Sequence, residues 1–116
     1  MFGDILSDMA GELAGSLGIA PSINASDDRC MAQAAHGSAP DIAGKGLANP
    51  IAMILSSGML LDWLGTRHGD ERLVDAAVRV EEAVRAAVRG GISTRDLGGS
   101  ASTTEFTDAV VAAISR

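Results

Sequence analysis

The sequence predicts an α/β chain dominated by helices, with one or two short strands. Three observations carry this. Helical periodicity or helix-start chemistry occurs in four separate stretches. One short run, Cys30 to Ala35, is compatible with a buried strand. Finally, two long helices, two shorter ones and so few strands cannot by themselves build a doubly covered sheet, so the remaining strands must come from elsewhere. A length of 116 residues, 47% of them hydrophobic, suits one globular unit with a modest core and argues against disorder.

The first helix is expected from Gly3 to about Ala14, with Ile5, Leu6, Met9 and Leu13 on one side and Asp4, Asp8 and Glu12 on another. Gly15, Gly18 and Pro21 then punctuate a connection. Ser26 to Arg29 reads as a polar turn before the Cys30 run. Asn49-Pro50 is a helix start, Asn at N-cap and Pro at the first helical position. The following Ile51 to Leu64 is apolar on nearly all sides, which predicts burial on most faces. From Asp70 to Arg89 the pattern is amphipathic: Leu73, Ala77, Val80, Val84 and Ala87 form a stripe, with Asp75/Arg79 and Glu81/Arg85 as i, i+4 pairs. Gly90-Gly91 closes this surface helix, and Ser102-x-x-Glu105 is a capping box opening the last one.

Between the strand candidate and the apolar helix lies His36-Gly37-Ser38-Ala39-Pro40-Asp41-Ile42-Ala43-Gly44-Lys45-Gly46-Leu47-Ala48-Asn49-Pro50. Glycines at 37, 44 and 46 let main-chain amides approach a phosphate. Prolines at 40 and 50 stiffen the path, and Asp41 offers a carboxylate to paired ribose hydroxyls. This chemistry fits a dinucleotide. Singly, the residues are explained without a ligand: His36 as a hydrogen-bonded histidine, Asn49 as an N-cap. Asp4 and Asp8, one turn apart, complement a helix dipole, and with a hard cation such as Mg²⁺ or Mn²⁺ they would also serve as ligands.

Three stretches in this order, Met1-Phe2-Gly3-Asp4-Ile5-Leu6-Ser7-Asp8, the His36 loop and Thr94-Arg95-Asp96-Leu97-Gly98-Gly99, resemble the isopropylmalate/isocitrate dehydrogenase family of decarboxylating dehydrogenases. The resemblance runs from Met1 to about the last helix and corresponds to the C-terminal third of such an enzyme. It implies an isopropylmalate dehydrogenase-like fold. Residues 1–15 would belong to the lobe that holds metal, substrate and dimer interface, and 16–116 would form the C-terminal part of the NAD-binding lobe. It also implies metal ligation by Asp4 and Asp8. At the cofactor, His36 would lie on the nicotinamide/adenosine side, Gly37, Ser38 and Ala39 along the dinucleotide, Asp41 on the adenosine ribose, and Ala48 and Asn49 facing the adenine. Asp41 favours NAD over NADP, because a carboxylate repels a 2′-phosphate. The sequence departs from the family at Gln33-Ala34-Ala35, where many members carry Glu-Pro-Val.

The resemblance also defines what is absent. The family's substrate-binding arginines, catalytic Tyr and catalytic Lys come from upstream segments, whereas this chain has no Tyr and a single Lys, Lys45, in the loop. No catalytic residue is therefore assigned. The expected function is that of the C-terminal part of an NAD- and divalent-metal-dependent oxidative decarboxylase of a 2-hydroxy acid, such as 3-isopropylmalate or isocitrate, inactive alone. Its partners would be the 2-hydroxy acid in the complete enzyme, the missing N-terminal portion or a full-length homologue, and further copies in a homo-oligomer. Met1 falls inside the family's Asn-Met-Phe-Gly-Asp motif, which reads as an internal methionine. The alternative is a short regulatory or interaction module that docks on a full-length dehydrogenase.

A net charge of −6 excludes a nucleic-acid surface built on basic residues. The Ile51 to Leu64 run is too short and too interrupted to span a bilayer, so no membrane role is expected. A lone cysteine, Cys30, with no signal-peptide pattern points to the cytoplasm. Cys30 reads as a small buried residue, Trp63 as core or interface, and His68 as an exposed linker residue. For Arg95 and Asp96 both an internal ion pair and a cofactor contact are open.

Overall fold

A computed structural model describes residues 16–116. The expected helix over 3–14, with Asp4 and Asp8, lies outside the described residues. A 3₁₀ turn, Leu17–Ile19, leads into an antiparallel hairpin of β1 (Pro21–Ala25) and β2 (Cys30–Ala34), in which Ile23 pairs with Ala32. A loop containing a second 3₁₀ turn, Pro40–Ile42, leads to α1 (Ile51–His68) and α2 (Glu71–Arg89). A third turn, Arg95–Leu97, precedes α3 (Thr103–Ile114). Helix α1 packs on the hairpin and on α2, and α2 packs on α3.

The Cys30 strand forms as expected, but only Ala34 is buried and Met31 is 55% exposed, because among the described residues β2 is covered by α1 alone. Cys30 itself is half-buried. Strand β1 is an addition to the sequence reading, which placed only connection signals there. Its residues Pro21, Ser22, Asn24 and Ala25 have poor strand propensity. Pairing with β2 and one side chain of α1 hold it: buried Ser56 accepts a hydrogen bond from the Ser22 amide at 3.0 Å, and its hydroxyl lies within hydrogen-bonding reach of the Gln33 and Ala52 carbonyls.

Helix α1 runs four residues beyond Leu64, so His68 is its exposed last residue rather than a linker. Gly65 continues the helix, and the stop is Gly69 in the left-handed conformation (φ 66°), where glycine carries no Cβ penalty. At the other end the first helical residue is Ile51, one later than expected. The N-cap is therefore Pro50 rather than Asn49, although Asn49 Oδ1 still accepts from the Ile51 amide at 2.9 Å. The expectation of burial on most faces does not hold. The buried positions are Ile51, Ala52, Ser56, Gly58 and Gly65, whereas Met53 and Met59 are exposed. The physical reason is close approach: at Gly65 an added Cβ would meet the Val74 side chain at 2.7 Å, so α2 lies almost against the α1 backbone.

Helix α2 follows its predicted stripe. Asp70 caps it by accepting from the Arg72 amide, Ala83, Val84 and Ala87 are buried, and the Glu81–Arg85 pair closes. The capping box forms at Ser102 and Glu105. The core joins Ile51, Ala83, Val84, Ala87, Phe106 and Val110. No buried side-chain polar atom among the described residues lacks a partner.

Candidate functional site

Apart from half-buried Asn49, the sequence-predicted cofactor residues, His36, Gly37, Ser38, Ala39, Asp41 and Ala48, lie in one exposed loop between β2 and α1. The His36 Nδ1 sits 3.0 Å from the Gly37 carbonyl oxygen, which places the proton of a neutral ring on Nδ1 and leaves Nε2 as an acceptor. Asp41 projects from the first turn of Pro40–Ile42, which is closed by main-chain bonds from Ile42 to Ala39 and from Ala43 to Pro40. Gly44 and Gly46 adopt positive φ, 76° and 66°, a backbone need that accounts for both. Gly37 does not have that need. Its φ is not positive and a Cβ there would meet nothing within 4 Å, so nothing inside the described chain requires it to be glycine.

The C-terminal part of the loop is tied to two distant segments. Thr103, at the start of α3, donates its amide to the Gly46 carbonyl at 2.8 Å and its hydroxyl to the Ala48 carbonyl at 2.5 Å. Asn49 Nδ2 donates to Asp96 Oδ2 at 2.9 Å. The Thr94 to Gly99 motif thus lies against the loop, and among the described residues Asp96 forms no ion pair. Its carboxylate accepts from Ser16, Thr94 and Asn49, three neutral donors. Although its partial burial opposes ionisation, these bonds together hold the Asp96 carboxyl below the ordinary aspartate value. Sequence reasoning missed Thr103, whose N-terminal position in α3 explained it sufficiently, and left Asp96 open. The only available signal was that the motif carries more polar residues than a turn needs.

Asp4 and Asp8 lie outside the described residues. Among the described residues no three His, Cys, Asp or Glu side chains gather as a metal site. A groove of about 860 Å³ lies over β1, α1 and α2, lined by Pro21, Ile23, Leu55, Met59, Trp63 and Val80 among others. It shares no residue with the loop. Half-buried Trp63 lies in it, with the Arg67 guanidinium 5.4 Å from the ring centroid. No described helix is long and apolar enough to cross a membrane.

A two-stranded hairpin packed on helices, with a glycine-rich loop exposed between strand and helix, is the kind of small sheet that an α/β fold completes with further strands. Comparison with known proteins names it. Residues 1–110 match the isocitrate/isopropylmalate dehydrogenase family, and the chain belongs to that family. It is 53% identical over 98% of its length to an isocitrate/homoisocitrate dehydrogenase of Thermus thermophilus, covering 32% of that protein. It is 54% identical over 98% of its length to a 3-isopropylmalate dehydrogenase of Deinococcus radiodurans, covering 30% of it. All of the chain superposes on 33% of the isocitrate dehydrogenase of Methylococcus capsulatus, with a TM-score of 0.88 at 42% identity. The chain therefore carries a fragment of the isopropylmalate dehydrogenase-like fold and spans about a third of the length of these relatives.

Proposed function

We propose that the chain supplies the adenosine-side wall of the NAD site, and two ligands of a divalent metal site, in a decarboxylating 2-hydroxy-acid dehydrogenase. The observation that carries this reading is the loop itself. It is exposed from His36 to Ala48 except at half-buried Ile42 and Leu47, it contains a glycine at 37 that no internal contact requires, and Thr103 and Asp96 anchor its far end. A rigidly held, uncovered backbone is what a phosphate-bearing ligand needs for close approach.

Each residue then has a defined task. Asp41 accepts hydrogen bonds from the ribose hydroxyls. Gly37, Ser38 and Ala39 present backbone along the dinucleotide, with His36 offering Nε2 on the nicotinamide side. Ala48 and Asn49 border the adenine. The Asn49 side chain accepts from the first amide of α1 and donates to Asp96, so both ends of its amide are already engaged within the chain. Asp4 and Asp8 are assigned to Mg²⁺ or Mn²⁺ from the family motif. When bound, NAD⁺ would supply a hydride acceptor and the metal would supply polarisation of the substrate's oxygens. The proton-transferring Lys and Tyr and the substrate-binding arginines belong to the remaining two thirds of the fold. Residues 1–15 are assigned to the metal and substrate lobe, 16–116 to the NAD lobe. Similar identity to an isocitrate/homoisocitrate and a 3-isopropylmalate dehydrogenase supports the view that this third does not select the hydroxy acid.

The test is titration of NAD and NADP into the ¹⁵N-labelled chain. NAD should shift the amides of His36 to Ala39, Asp41 and Ala48, and NADP should do so far more weakly. Equal responses, or shifts confined to other residues, would overturn the assignment. A second reading, a module that docks on a full-length dehydrogenase, is favoured by the self-contained core around Phe106 and Val110. The mass of the gene product in its source cell separates the two: a species several times 11.8 kDa supports the enzyme segment, one near 11.8 kDa the module.

A further inference from the structure

We propose that Asp96 is the positioning residue of the dinucleotide loop, acting through Asn49. The proposal rests on the reading of that loop as a nucleotide wall. Both Asp96 oxygens are engaged. Oδ2 accepts from Ser16 Oγ at 2.5 Å and from Asn49 Nδ2 at 2.9 Å, and Oδ1 accepts from Thr94 Oγ1 at 2.6 Å. Thr94 is fully buried, so one side of the hub is fixed to the interior. Ser16 also accepts from the Gly18 amide at 3.0 Å, which adds the turn that precedes β1.

Packing makes the junction tight. A Cβ at Gly18 would lie 2.9 Å from Asn49 Cβ and 3.0 Å from Asp96 Oδ2, so the Leu17–Ile19 turn presses directly on the pair. Asn49 is the last loop residue before Pro50, and its Oδ1 accepts from the first helical amide of α1. Its side chain therefore has one end on the helix and the other on Asp96. Rotation of that amide would release the loop end and the Ile51 amide together. The Thr103 bonds hold the Gly46 and Ala48 carbonyls, whereas Asp96 ties a side chain of the loop end to a distant segment. A carboxylate suits this place because it accepts several bonds at once and, having no proton to donate, imposes donor orientation on the Asn49 amide.

The experiment uses the full chain with the single variants Asp96→Asn and Asn49→Asp and the double variant Asn49→Asp/Asp96→Asn. Asn49→Asp keeps an acceptor for Ile51 but sets two carboxylates against each other, and the double variant restores a donor and acceptor in exchanged places. Each is followed by the backbone amide resonances of residues 43–49 and by NAD titration. The expected result is displaced loop resonances and about tenfold weaker NAD binding in each single variant, comparable to removing the support behind a metal ligand. Both effects should be largely reversed in the double variant. Unchanged loop resonances in Asp96→Asn, or a double variant no better than Asn49→Asp in a chain whose melting shows it folded, would overturn the proposal. A chain whose loop resonances follow this pattern while NAD moves none of them retains Asp96 as the loop's anchor and overturns the nucleotide reading instead.

Discussion

Asp70, Asp96 and Glu105 are all held below the ordinary carboxylate range, each at a joint between elements. The Arg72 side chain and amide lower Asp70, and the Ser102 amide and hydroxyl lower Glu105. For Asp96, partial burial pulls upward, but the bonds from Ser16, Thr94 and Asn49 outweigh it. A group whose pKa is lowered by folding binds its proton more tightly when unfolded. Its contribution is complete above the unfolded value, about 3.9 for Asp and 4.3 for Glu, and is lost as pH falls through the folded value. The melting temperature should therefore be nearly level from neutral pH to about 5 and decline below about 4. Glu105→Gln keeps the capping geometry while removing the charge, so its melting temperature should depend less on pH in the acid range than that of the wild type. A variant and wild type with parallel curves in circular-dichroism melts would remove Glu105 from the account. At this scale the sequence was informative where one residue serves one local purpose. The capping box at Ser102 could be read from four residues, whereas Asp96 could not, because its partners Ser16 and Asn49 lie 80 and 47 positions away.

Between elements, α1 shows why pattern alone misplaces a face. A nearly all-apolar helix predicts burial all round, yet the buried side of α1 consists largely of small residues and the long methionines point outward. Two glycines of the same helix make the cause testable. At Gly58 an added Cβ would sit 3.5 Å from the Val80 side chain, an ordinary contact. At Gly65 it would meet Val74 Cγ2 at 2.7 Å and the Asp70 carbonyl oxygen at 2.9 Å. Gly58→Ala should stabilise the chain by up to about 1 kcal/mol, the helix-propensity difference. Gly65→Ala should cost about 1–3 kcal/mol as α2 is pushed away. Urea denaturation of the two variants measures both, and a stabilised Gly65→Ala would contradict the close approach of α2. The apolar run stops at Leu64 but the helix continues, because Gly65 is the place where two helices meet. Strand β1 was illegible for the opposite reason. Nothing in Pro-Ser-Ile-Asn-Ala favours a strand, and the Ser56 hydroxyl that receives the Ser22 amide belongs to an element 34 residues further on.

For the molecule as a whole, a closed core coexists with apolar surface that nothing described covers. Phe106 and Val110 are sealed between helices, but Met31, Met53, Met59 and Val78 are exposed, and the groove over β1, α1 and α2 remains open. Met59 and Val78 line that groove, and an apolar groove is a surface that another polypeptide could cover. The chain spans about a third of its relatives' length. If the other two thirds of that fold closes the groove, water should leave it on assembly, and Trp63, the only tryptophan, lines it. Adding the complementary two thirds of a tryptophan-free family member should shift Trp63 emission to shorter wavelength with saturable dependence on concentration. Met59→Lys, which places a charge on the groove without touching the core, should weaken that response by at least about tenfold, the cost of roughly 1.4 kcal/mol at an interface. The same variant should melt within a few degrees of the wild type, since an exposed position carries little folding energy. An emission spectrum that stays fixed while the two parts co-purify would place the contact elsewhere on the chain, and the loop after β2 would then be the next surface to label.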